Sequence, residues 1–216
     1  MSSHSRETIL GTIHKALSEH KVPMPFPDSE KMHDHYVKTD LSLEEKFAEE
    51  FNKLGGKFVY CSDESDMIQQ FEALADTMKW NTIHTKDQFL LNLFQEHNIA
   101  KVKDAGDMHD IEVGLSLCEC LIARTGSAIM SSGQDHGRAL PVYSPIHITI
   151  AFTNQLVFDI SNAIDLLKEK YNNQLPSMMS LTTGPSRTAD IEKTLVVGVH
   201  GPKEVYVFLI DKHWKK

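Results

Sequence analysis

The chain has 216 residues, 41% of them hydrophobic and 24% charged, with a formal net charge of −8. That composition excludes a disordered, collagenous or fibrous chain and suits a domain with a sizeable core. The balance of 22 basic against 30 acidic side chains argues against nucleic-acid binding, which needs a basic face.

No apolar run approaches the roughly 18–20 residues that span a bilayer. Residues 1–20 carry scattered charges rather than the apolar block of a signal peptide, so the expected location is cytoplasmic. Cys61, Cys118 and Cys120 are the only cysteines. An odd, sparse set does not make a disulfide framework, and it cannot supply the four thiolates of an iron–sulfur cluster.

In chain order, residues 6–20 read as an amphipathic helix with Ile9, Ile13, Ala16 and Leu17 on one stripe. Pro23, Pro25 and Pro27 end it, and 21–40 reads as a linker or arm. Residues 1–40 are thus an N-terminal helix and linker, and 41–216 the domain. Ser42 and Glu45 form a capping box for a second helix that stops at Gly55-Gly56. Lys57–Cys61 is expected as a strand, 63–79 as a helix with Ile68, Phe71, Ala75 and Met78 inward, and 82–84 as a strand. Residues 86–97 read as a helix through Phe89, Leu90, Leu93 and Phe94. Strands at 120–123 and Ser127–Ser131 flank the Arg124-Thr125-Gly126 turn. Ile146–Phe152 is a near-continuous apolar strand, and 159–171 a helix carrying Ile160, Ala163, Ile164 and Leu167. Strands at 178–182 and 205–211 bracket a short helix at 188–195. This alternation predicts an α/β sandwich with a largely parallel sheet, its apolar runs covered on both faces.

Glycine turns concentrate between Ala123 and Pro202. Ligands of open α/β sheets bind beyond the carboxyl ends of strands, where turns and helix starts present N–H groups to anions. The segment Gly184-Pro185-Ser186-Arg187-Thr188 has that form, and Arg187 can grip a carboxylate or phosphate with two parallel bonds. Equally, Arg187 can pair with Asp190 or Glu192 and simply fix the turn. No P-loop or dinucleotide fingerprint is present. His109, His136, His147 and His200 lie near the rich region without a metal-ligand spacing. Asp135-His136 reads as a solvated loop and His147 as a core or rim histidine. Cys118 and Cys120, two apart, are expected on one strand face as packing. Ser127, Ser131 and Ser132 have no assignable base. Glu112, Glu119 and Glu192 are carboxylates that the sequence does not place in a pocket.

The stretches LIARTGSAIMSS, Arg138 to Pro141, PIHITIAF and TGPSRTADIEKTLVVGVHGPKEVYVFLI resemble the lactate-utilisation protein C family, or LUD domain, over roughly residues 41–211. The resemblance implies the three-layer α/β/α sandwich of phosphosugar isomerases, coenzyme A transferases and folate cycloligases. It also implies a part in oxidation of L-lactate to pyruvate beside iron–sulfur partner proteins, with this chain as the small non-cluster subunit binding a small anion or cofactor; the missing ligand spacing separately predicts that no metal or cluster is held by this chain. The family positions are Thr125, Gly126, Arg138, Pro141, Gly184 to Asp190 with Glu192, and Gly198, His200, Gly201 and Pro202. From these, an anion pocket is expected of Thr125, Gly126, Arg138, Gly184, Ser186, Arg187, Thr188, His200 and Gly201, with Asp190 and Glu192 orienting Arg187. Arg124 departs from the acidic or neutral residue often found before Thr-Gly. The alternative is a stand-alone enzyme acting on a phosphosugar, an acyl-coenzyme A or a folate, which needs a pocket carboxylate. Homo-oligomerisation is compatible with either.

Overall fold

The structure, a computed structural model, describes residues 3–19, 40–106, 111–191, 194–198 and 200–212. The chain divides into two compact units, Met1–Asp40 and Leu41–Lys216. In the first, α1 (Ser3–Glu19) carries Ile9, Ile13 and Leu17 of the expected stripe, all exposed.

The second unit opens with α2 (Leu43–Lys53). Ser42 Oγ accepts from the Glu45 amide, and the Glu45 carboxylate accepts from the Ser42 amide, so the expected capping box is formed. Around it are β1 (Lys57–Cys61), α3 (Glu64–Thr77), β2 (Ile83–Thr85), α4 (Gln88–Glu96), β3 (Val102–Asp104) and β4 (Val113–Leu117). There follow β5 (Cys120–Ile122), β6 (Ser127–Ser131), α5 (Leu140–Tyr143) and β7 (Ile146–Phe152). A 3₁₀ turn leads to β8 (Leu156–Val157), α6 (Ile160–Lys170), β9 (Met179–Thr182), β10 (Arg187–Ile191), β11 (Thr194–Val197) and β12 (Glu204–Ile210).

Six strands form one sheet in the order β1-β12-β7-β4-β2-β3, every pair parallel. The runs IHITIAF and EVYVFLI lie inside it, which is why they are apolar on both faces. On one face Tyr206, Phe208, Ile210, Ile148, Ile150 and Phe152 meet Phe71 of α3 and Phe94 of α4. The Phe71 ring lies 4.6 Å from Phe94 and 5.9 Å from Phe208. Such pairs add about 0.5–1.5 kcal/mol each beyond area burial. On the other face Val205, Val207, Leu209 and Ala151 pack on Phe47 and Phe51 of α2 and on a second sheet. That sheet, in the order β8-β5-β6-β9, turns Cys120, Ile122 and Ile129 to Ala163 and Leu167 of α6. Helices thus flank the parallel sheet as an α/β sandwich, with a small mixed sheet inserted beneath α6.

Two expectations are corrected. The segment expected as a helix at 188–195 is an antiparallel hairpin, β10 with β11. Its Thr188, Ile191, Thr194, Val196 and Val197 are β-branched, a preference that favours strand. Cys118 and Cys120 do not share a face. Cys118 precedes β5 and packs in the core with Phe47, whereas Cys120 packs beneath α6. Strand alternation does not hold across a turn. Among the described residues, no helix is long and apolar enough to cross a membrane.

Candidate functional site

An open groove of about 420 Å³ is lined by Leu54, Pro141, Val142 and the two segments 181–187 and 200–202. It continues into a second depression of about 280 Å³ that adds Tyr143, Pro145, Gly198 and Lys203 and shares Val142, His200 and Gly201. The groove lies at the amino ends of the parallel strands. Leu54 precedes β1, Pro145 precedes β7, and Pro202 precedes β12. Site turns were expected at carboxyl ends, but those turns follow β5, β9 and β11, which are not strands of the parallel sheet.

Main-chain bonds build the groove. The Ser186 amide donates to Pro202 O at 2.8 Å, the Gly198 amide to Ser186 O at 2.9 Å, and the Lys203 amide to Pro145 O at 2.7 Å. Gly201 permits the approach of the 200–202 turn, since a Cβ there would stand 2.8 Å from Ser186 Cβ. Arg187 Nη2 donates to Leu54 O at 2.6 Å, at the C-cap of α2, where a cation meets the negative helix end. Among the described residues the partner of Arg187 is a helix carbonyl. The charged side chains among these lining residues are Arg187 and Lys203, joined by His200, and among the described residues the lining includes no Asp or Glu.

Of the expected site residues, Gly184, Ser186, Arg187, His200 and Gly201 come together in this groove. Thr188 and Asp190 fall on β10. Glu192 lies outside the described residues, as does His109. Thr125 and Gly126 are not lining residues. Their turn reaches the groove wall indirectly, for Ser127 Oγ lies 2.8 Å from Thr125 Oγ1 and 2.9 Å from Thr183 Oγ1. Arg138 also stays outside, and its Nη2 donates to Ser177 Oγ at 2.7 Å. Arg124 pairs with Asp159, Nη2 to Oδ1 at 2.6 Å, so its charge is spent at the start of α6.

A separate polar interior was not legible in the sequence. Glu119, of unassigned role there, is fully buried at its side chain and meets Lys170 Nζ at 2.6 Å. Tyr171 OH donates to it at 2.7 Å, and Ser131 Oγ donates as well. Burial raises the Glu119 pKa, but these donors outweigh it and hold the carboxyl below its usual range. Burial and the Glu119 charge push the Tyr171 phenol up to about 12. His136 is buried, not solvated, and lies 2.9 Å from Gly137 O and 3.1 Å from Gln134 Oε1. His147 Nε2 lies 2.9 Å from Ser116 Oγ, and burial pushes its pKa down to about 3. Glu119, Ser131, His136 and His147 are buried, Lys170 and Tyr171 reach partly to the surface, and none of them lines the groove. Among the described residues no three His, Cys, Asp or Glu side chains converge as a metal site.

Comparison with known proteins sets this geometry in a family. A protein of the DUF162 family from Deinococcus radiodurans shares the fold, with a TM-score of 0.56 at 17% identity over 79% of this chain and 99% of its own. Lactate utilization protein C of Bacillus licheniformis is 28% identical over 186 residues, 84% of this chain and 75% of that protein. The Bacillus subtilis protein of that name is 34% identical over 120 residues, 54% of this chain and 48% of its own length. The Oceanobacillus iheyensis one is 31% identical over 67% of this chain and 66% of its own. The LUD domain model matches residues 29–210, which takes in both sheets and every strand of the groove, and the chain accordingly belongs to the LUD domain family.

Proposed function

We propose that this chain is a lactate utilization protein C-like subunit. It takes part in oxidation of L-lactate to pyruvate beside iron–sulfur partner proteins and holds a small anion in the groove of Ser186, Arg187 and His200. The relatives' names support the pathway. The observation that carries the anion is local: a groove with Arg187, Lys203 and His200 and no carboxylate on its described lining, in a chain of net charge −8. A carboxylate or phosphate placed there meets cationic side chains without a like charge to displace on the described lining. Electron-transfer chemistry belongs to the partners in this reading. The stand-alone enzyme is less well supported, since its acid or base would have to enter a groove whose described lining offers no carboxylate.

The test is calorimetry of the full chain against lactate, pyruvate, phosphate, coenzyme A and nucleotides. One of these should bind. Lys203→Ala and Arg187→Lys should each weaken it by roughly tenfold, the loss expected for one charge-assisted bond. Arg138→Ala should leave it unchanged. A wild type that binds none of them ends the anion reading. Co-purification with an iron–sulfur protein tests the partnership, and its absence from cells grown on lactate would count against it.

A further inference from the structure

Strand β9, Met179–Thr182, ends the four-stranded sheet. Among the described residues its one strand neighbour is β6, in antiparallel register from Ala128↔Thr182 to Ser131↔Met179. Alternate main-chain N–H and C=O groups of such a strand face away from the partner. Free edges of this kind template a further strand, and proteins usually blunt them with lysine, proline or a bulge. The sequence Met-Ser-Leu-Thr has no charge and no proline. Leu181 stands on it 45% exposed, and Leu181, Thr182 and Thr183 form one wall of the groove. Val142, 44% exposed, lines the same groove, and Tyr143, 73% exposed, lines the depression that continues it. Apolar side chains left in solvent around one groove mark an interaction surface, and tyrosine and arginine are its common anchors.

We propose that an extended, acidic segment of a partner protein docks here. It adds a fifth strand on the free edge of β9, packs apolar residues on Leu181, Val142 and Tyr143, and sets carboxylates toward Arg187 and Lys203. Main-chain bonds give such strand addition its affinity, and alternate side chains give its specificity. Charge selects the occupant. The β9 strand of a second copy, Met-Ser-Leu-Thr, carries no carboxylate to meet Arg187 and Lys203, whereas an acidic strand neutralises them. The surface shares its cations with the small-anion site but adds the β9 edge and the apolar wall, which a three-carbon acid does not need.

The experiment uses the full chain and two fluorescein-labelled peptides, one alternating valine with glutamate and one alternating valine with lysine. Anisotropy should show binding of the glutamate peptide alone, weakened by salt and weakened about tenfold or more by Leu181→Lys. Hydrogen exchange should slow at the β9 amides on binding. The Leu181→Lys protein should keep its melting temperature, and lactate or phosphate bound to wild type should leave the β9 amides exchanging as before, so failure of the anion site and failure of the docking surface are told apart. Absence of glutamate-peptide binding at millimolar concentration overturns the proposal. Equal binding of the two peptides, or an unchanged Leu181→Lys, does the same. A dimer in sedimentation that Leu181→Lys dissolves assigns the edge to a second copy instead. Peptide binding that appears only after deletion of residues 1–40 assigns it to this chain's own arm.

Discussion

Arg187 Nη2 and the Leu54 carbonyl oxygen stand 2.6 Å apart, so the side chain that faces the groove also ties β10 to the C-terminal end of α2. An exposed charge-assisted bond contributes less than the roughly 1.5–3 kcal/mol of a sheltered one. Arg187→Ala should cost about 1 kcal/mol, a fall of roughly 2–4 °C in Tm for a domain of this size. Arg187→Lys should recover part of it. Identical melts for all three proteins would show that the bond contributes nothing in solution.

Glu119 is buried with Lys170, Tyr171 and Ser131 around it. Replacing it by glutamine removes one half of a buried ion pair. The usual cost is about 3–5 kcal/mol. Lys170, 31% exposed at its side chain, can turn to solvent, so roughly 2–3 kcal/mol is expected by urea denaturation. The sign with pH follows from the lowered carboxyl pKa. Its stabilisation is complete above the unfolded carboxylate value and is lost as pH falls through the folded one. Wild type should therefore weaken below about pH 4.5 more steeply than Glu119→Gln. Parallel curves would refute this.

His147 acts at higher pH. Its folded pKa is about 3, and the unfolded imidazole titrates near 6.5. The unfolded chain takes the proton first, so stability is whole above about pH 6.5 and declines as pH falls toward 3. The slope from one such histidine reaches about 1.4 kcal/mol per pH unit. Burial lowers His136 in the same direction. His147→Gln keeps a partner for Ser116 and should flatten the pH dependence between about 6.5 and 5. An unchanged slope would mean that this ring is already protonated or open to water.

Gly126 has φ +58°, and a Cβ there would lie 2.5 Å from the Phe51 amide nitrogen and 2.8 Å from Phe51 Cα. Neither neighbour is a flexible side-chain end. Gly126→Ala should destabilise by roughly 2–4 kcal/mol and shift the Phe51 packing that joins α2 to the second sheet. A melt within a degree of wild type would show that the turn relaxes freely.

Deletion of residues 1–40 should leave a cooperatively melting α/β domain, because the core residues from Phe47 to Ile210 all lie in the second unit. An insoluble product without a cooperative transition would overturn that division.

The parts legible in the sequence are those where one local signal suffices. Ser42 and Glu45 specify a helix start by themselves, and the β7 and β12 runs are apolar because both faces are covered. Strand β4 was not foreseen, because Gly114 and Ser116 interrupt its apolar run, although every residue of it is buried. The sequence shows the polarity of Ser116 but not the His147 ring that satisfies it across the sheet. His136 reads as a loop residue by its neighbours and is buried by residues distant in sequence. In the site, Gly184, Ser186, Arg187, His200 and Gly201 line one groove, because the β10–β11 hairpin returns the chain from Arg187 to His200. Arg138 and Thr125 were grouped with them on motif alone, and motif carries no distance. The end of the sheet was misjudged because the turns were assigned to parallel strands, while their strands run in the small sheet and the hairpin.

The sheet order has a consequence for biogenesis. Strand β12 lies between β1 and β7, yet it is the last of the described strands to leave a ribosome. Until residue 210 has emerged, β1 has no strand beside it, and Phe71 lacks the Phe208 ring that closes its core. The nascent chain therefore holds this apolar surface open until β12 emerges, and closure joins residues about 150 positions apart. Ribosome-bound intermediates should be clients of holding chaperones, and a stop codon ahead of β12 should yield a chain that is degraded rather than a smaller working domain.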